Sequence, residues 1–133
     1  MKGLYGFVLV LFAGGLVYSS YAQAEADSHK VHHLVIVWLK QAGDEAARKQ
    51  YIAASKSLAE LPGVLAYDLG TPAAIQRGRV NPAVDESYDV AVSSVYESRQ
   101  AYEAFLQNPE YQRVAMQVLR PLVEKYQVFD FVE

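Results

Sequence analysis

The most regular apolar pattern in the chain runs from Val31 to Lys40, Val-His-His-Leu-Val-Ile-Val-Trp-Leu-Lys, which is β-branched and apolar at both alternating positions. Such a run reads as a strand covered on each side. Alternation puts His33, Val35, Val37 and Leu39 on one face and His32, Leu34, Ile36 and Trp38 on the other, so the adjacent histidines point apart. The period then changes. Ala47, Tyr51, Ala54, Leu58 and Leu61 recur at helical spacing, which predicts a helix over about 43–61, opened by Gly43-Asp44 and ended by Pro62-Gly63. A second strand is expected over 64–70. Residues 71–87, rich in Pro, Gly and Ala, form a connection longer than a hairpin needs and read as a functional or mobile loop.

Residues 88–96 alternate as a third strand, after which Ser98 is placed to N-cap a short helix whose apolar face is Ala101, Tyr102, Phe105 and Leu106. Asn108 caps a further helix with Pro109 at its first position. Tyr111, Val114, Ala115, Val118, Leu119 and Leu122 line one face of it, and Pro121 is expected to kink or end it near 117–120. Residues 127–132 make a final strand. Strand, helix, strand, strand, helix, strand is the split βαβ order of an α+β, ferredoxin-like fold, here with an extra helix. One face of such a sheet carries no helices and needs a partner or a ligand.

The first residues follow a different rule. Lys2 precedes an uncharged run in which Leu, Val, Phe and Gly dominate from Leu4 to Val17, and Ala22-Gln23-Ala24 supplies small residues for cleavage, so residues 1–24 read as a cleavable export signal. The alternative is an N-terminal membrane anchor, which Tyr18-Ser19-Ser20-Tyr21 makes too polar in its second half. The expected location is secreted or periplasmic, with membrane contact only during export. Residues 25–133 suffice for one domain. They carry 11 basic against 15 acidic residues, a net charge of −4, which argues against a nucleic-acid partner. With no cysteine, disulfides, thiolate metal sites and a Cys nucleophile are excluded, and no metal or other cofactor is expected.

His33 is the leading candidate for a cavity residue, being one titratable group among Val35, Val37 and Leu39. An imidazole there can act as a base or ligand contact near neutral pH. The plainer reading is a core histidine hydrogen-bonded to Asp130 or to a backbone carbonyl. Seven of the 10 tyrosines fall at Tyr51, Tyr67, Tyr88, Tyr96, Tyr102, Tyr111 and Tyr126. Rings with a polar tip suit a pocket for a hydroxylated or aromatic ligand, and they suit a dimer interface equally well. Arg77 and Arg79 read as solvated loop charges or as contacts to an anionic ligand. A carboxylate placed at Val35 or Val37 is expected to dissociate or unfold a dimer.

Four local patterns coincide: His33-Leu-Val-Ile-Val, Leu61-Pro-Gly-Val64, Tyr88-Asp89-Val90, and Asn108-Pro-Glu-Tyr111 followed by Val128-Phe-Asp130-Phe. Together they resemble the stress-responsive α/β barrel (Dabb) family across residues 25–133. The resemblance implies a dimeric α+β barrel in which the uncovered faces of two sheets close on each other. Plant members that cyclise polyketides carry a Tyr-x-x-His-Pro-x-His segment. Its counterpart here is Phe105-Leu-Gln-Asn-Pro-Glu-Tyr111, so the catalytic Tyr and His positions hold Phe105 and Tyr111. His33 and Asp130 match a His and an Asp that the family places on its first and last strands. The expected ligand-pocket residues are therefore His33, Tyr51, Phe105, Tyr111 and Asp130. The leading expectation is an exported homodimer binding a small apolar or aromatic molecule. The alternative is a divergent cofactor-free enzyme, like the family's cyclases or lyases or the related antibiotic-biosynthesis monooxygenases.

Overall fold

In the computed structural model, which describes residues 28–133, β1 (Val31–Leu39) is a central strand with a neighbour on each edge. It pairs with β3 (Val90–Tyr96) on one side and β4 (Val123–Val132) on the other, and β2 (Val64–Gly70) pairs with β3. All pairings are antiparallel and the order is β2-β3-β1-β4, the ferredoxin-like arrangement. The export signal expected at 1–24 lies outside the described residues. Among those described, no helix is long and apolar enough to cross a membrane.

Helix α1 (Glu45–Lys56) is capped by the Asp44 carboxylate, which accepts from Ala47 N at 2.7 Å, and it tightens into one 3₁₀ turn at Ser57–Glu60. The helix predicted to reach 61 thus ends its α portion at Lys56. Gly63 follows at φ +84°, and a Cβ there would stand 2.9 Å from Ala101 Cβ, so both the turn and the close passage of the next helix require glycine. Helix α2 (Arg99–Gln107) is capped by Ser98 and α3 (Pro109–Arg113) by Asn108. Of the two effects expected of Pro121, the ending is the one observed: the helix stops near it, at Leu119, and does so without a simple kink. The chain widens into a π-helix at Val114–Leu119 and closes with a 3₁₀ turn at Arg120–Leu122, because a proline cannot donate to the α ladder and its ring crowds the preceding turn.

Two strand boundaries differ from expectation. β3 begins at Val90, not at 88, because Asp89 is committed elsewhere. Its side chain is almost fully buried and accepts from Leu39 N and Gly43 N, both at 2.8 Å, and from Arg48 Nε at 3.1 Å, tying the end of β1 to the start of α1. β4 begins at Val123, four residues before the pattern suggested. Its polar Glu124 and Lys125 are tolerated on an edge strand, and a bulge at Trp38/Leu39 lets Val123 pair with Leu39.

The core fills the helix-covered face of the sheet. Val37, Leu39, Val90, Val92 and Tyr96 meet Tyr51, Leu58, Phe105, Val114 and Leu119 from the helices. Val35 and Val37 belong to this face, and Val37 is 0% exposed. A carboxylate at Val37 would therefore unfold the core, where a burial worth roughly 1.5–3 kcal/mol per side chain is lost, instead of parting a dimer. The opposite face of the sheet carries no helix. Register places His32, Leu34 and Ile36 there beside Phe131, Phe129 and Gln127, and Phe129 and Phe131 are 53% and 57% exposed.

Candidate functional site

A cavity of about 330 Å³ opens between the sheet and the helices. The sheet supplies His33, Val35 and Val92, α1 supplies Tyr51 and Ser55, α2 supplies Tyr102 and Phe105, and the stretch from Tyr111 through the π-helix to Arg120 closes the far side. The π-helix matters locally, since its wide turns bring Ala115, Met116 and Leu119 to the wall.

At one end, three elements converge on His33. Register sets His33 directly opposite Asp130 on β4, and α2 delivers Tyr102 from above. His33 Nδ1 donates to Asp130 Oδ1 at 2.5 Å, and Tyr102 Oη stands 2.9 Å from the same nitrogen. A carboxylate only accepts, so a proton sits on Nδ1. Among the described residues no hydrogen bond engages Nε2. The imidazole is thus held from one nitrogen and available at the other.

Rings continue from there. Tyr102 packs on Tyr96 at 4.5 Å between centroids, Tyr96 on Phe105 at 4.9 Å, and Phe105 on Tyr111 at 4.8 Å. The Ser55 hydroxyl and Tyr67 Oη are hydrogen-bonded at 2.9 Å. Burial pushes the phenols of Tyr51, Tyr67, Tyr96, Tyr102 and Tyr111 above the ordinary tyrosine value; at Tyr102 the Asp130 carboxylate adds to this, and at Tyr111 the neighbouring Tyr126. These hydroxyls remain protonated near neutral pH. They can donate to a ligand oxygen and cannot act as bases.

Four of the five expected residues, His33, Tyr51, Phe105 and Tyr111, line the cavity. Asp130 stands behind His33, 45% exposed, on the wall of a second cleft with Arg99, Glu103 and Phe131. His33 is bonded to Asp130, as the plainer reading has it, and it also lines the cavity. Arg77 faces Glu86 within the loop, and neither Arg77 nor Arg79 reaches the cavity. The sequence places Tyr102 on an apolar helix face and among the seven pocket- or interface-suited tyrosines, without joining it to His33. Its position three residues before Phe105 was the available signal, because residues at that spacing share a helix face. Arg120 was missed entirely. Among the described residues no group of three or more His, Asp or Glu side chains could hold a metal ion.

Residues 31–133 match the family model described as Stress responsive A/B Barrel Domain, Dabb. No protein of the curated set matches. Among solved structures, a Dabb family protein with a ferredoxin-like fold from Mesorhizobium loti is 23% identical, with 79% of this chain and 97% of that one covered at a TM-score of 0.63. A dimeric ferredoxin-like protein of unknown function from Thermobifida fusca is 19% identical over 80% and 92% of the two chains, TM-score 0.62. The hydroxynitrile lyase of Passiflora edulis is 22% identical over 80% and 94%, TM-score 0.61. At these identities the likeness establishes the fold.

Proposed function

Because the chain belongs to the stress-responsive α/β barrel (Dabb) family, we propose that it acts as a homodimer, each protomer of which binds one small apolar or aromatic molecule. The observation that carries this reading is the cavity of about 330 Å³, an aromatic-walled space with a hydrogen-bonded imidazole at one end. Its size falls at the small end of the range in which small-molecule sites occur, and apolar walls with few polar groups are their usual composition. The homodimer is supported by the helix-free face carrying Leu34, Ile36, Phe129 and Phe131, and by the dimeric state of the Thermobifida fusca neighbour. A stress-related role follows from the family alone. Export rests on residues 1–24, and N-terminal sequencing of the purified protein is expected to begin at Glu25; a start at Met1 would argue for the anchor.

A second reading has its own support. An imidazole oriented by a carboxylate and left with a free nitrogen is the arrangement of a general base, and Tyr102 beside it can donate a proton or a hydrogen bond. The same fold carries a hydroxynitrile lyase in Passiflora edulis. Such an enzyme would need no cofactor. Cyclisation through the Tyr and His of the plant members has no support here, since Phe105 lacks a hydroxyl and burial holds the Tyr111 phenol neutral.

Calorimetric titration with 4-pentylphenol tests the binding reading. The expected affinity is micromolar, roughly −8 kcal/mol, and His33→Ala is expected to weaken it by about 1 to 3 kcal/mol through loss of a buried hydrogen bond. Undetectable binding at millimolar probe would overturn the reading.

A further inference from the structure

The cavity's two ends differ in charge. His33 occupies one, and the far side ends at Arg120, the only Lys, Arg, Asp or Glu among the lining residues. Arg120 is positioned. Its guanidinium lies 5.4 Å over the Tyr126 ring and donates from Nη1 to Tyr126 Oη at 3.2 Å. Among the described residues no carboxylate lies within ion-pair distance of it, whereas Arg48, Arg77 and Arg113 each face one. Pro121 immediately after it, and the π-helix immediately before, hold the backbone at this corner.

A second, independent observation lies deeper. Tyr51 is only 6% exposed, and among the described residues its hydroxyl has no hydrogen-bond partner. No buried polar side-chain atom is left unsatisfied, so this hydroxyl reaches the open space of the cavity. The Tyr111 hydroxyl is likewise without a partner among the described residues. Tyr51 and Tyr111 line the same cavity as Arg120 and its partner Tyr126. The Tyr51 and Tyr111 hydroxyls are both donors that a ligand oxygen in the cavity can engage.

Resting on the reading of this cavity as a ligand site, we infer that its ligand is an apolar monocarboxylic acid whose carboxylate is held by Arg120, with the Tyr111 and Tyr51 hydroxyls as further donors. The hydrocarbon or aromatic body lies against Phe105 and Val92, and the far end reaches toward His33. A planar guanidinium matches a carboxylate with two parallel hydrogen bonds.

Calorimetric titration of the purified protein with octanoate and with octanamide, which share a body and differ in charge, tests the inference. Octanoate is expected to bind at least about tenfold more tightly, with the preference shrinking as salt is raised. Arg120→Gln is expected to abolish the preference, with far-UV circular dichroism unchanged to show that the variant is folded; a preference that survives in this folded variant would overturn the inference. Arg120→Lys, keeping charge without the planar fork, is expected to retain only part of the preference. Equal binding of acid and amide by the natural protein would overturn the inference and leave the cavity reading standing. Binding of neither, together with failure of 4-pentylphenol, would overturn both.

Discussion

Asp89 shows how a single residue secures the frame on which the site is built. Its carboxylate is buried, which taken alone would raise its pKa, but the Leu39 and Gly43 N–H groups and the Arg48 guanidinium outweigh burial and hold it below the ordinary carboxylate value. A depressed folded pKa means that the stabilisation is fully present above the unfolded value of ~3.9 and is lost as pH falls through the folded one. Asp89→Asn is expected to cost about 3 kcal/mol or more, since it leaves Arg48 unpaired and turns an amide donor toward a backbone donor. Urea denaturation at pH 7 checks the magnitude. Thermal melting between pH 5 and 2 checks the sign, the natural protein losing the difference and the variant having little of it to lose. In the sequence this residue was visible only as part of Tyr88-Asp89-Val90. Its partners lie 41 to 50 positions away, and no local pattern reports them.

At the scale of elements, local chemistry was legible and long-range commitments were not. The caps at Ser98 and Asn108 and the stop at Pro62-Gly63 were readable because each is settled within four residues. The start of β4 was not, because Glu124 and Lys125 look like turn residues until β1 is placed beside them. The π-helix was also hidden, since a proline announces disruption without saying which way the turn will relax. Of the site, His33, Asp130, Phe105 and Tyr111 were legible through motif resemblance. The joining of Tyr102 to His33 depends on how α2 crosses the sheet. That crossing is set in part by Gly63, whose missing Cβ lets Ala101 approach. Gly63→Ala is expected to destabilise the fold by about 1–3 kcal/mol through combined strain at positive φ and overpacking. Loss of tightness at His33 would follow, seen as weaker 4-pentylphenol binding in calorimetry at temperatures where the variant is still folded.

The whole molecule presents two apolar systems on opposite sides of one sheet, and they are expected to fail separately. Leu34→Asp or Ile36→Asp changes the helix-free face and leaves the core intact. Analytical ultracentrifugation at micromolar concentration is expected to give twice the chain mass for the natural protein and the single-chain mass for these variants, with far-UV circular dichroism retained. Val37→Asp is expected to lose the dichroism itself, because Val37 is wholly enclosed by the core. Parting of the dimer by neither helix-free-face variant would remove that face from the interface. The alternation that separates the two sets was readable in β1. Which set meets the helices was not, because both are apolar.

The central claim is that the space between sheet and helices is a ligand site with His33 at one end. It is tested most directly by nuclear magnetic resonance of aromatic-labelled protein titrated with 4-pentylphenol. Saturable shifts are predicted at His33, Tyr51, Tyr102, Phe105 and Tyr111, with Trp38, Phe129 and Phe131 on the opposite face unmoved. Shifts confined to that opposite face, or none at a probe concentration of a few millimolar, would contradict the account.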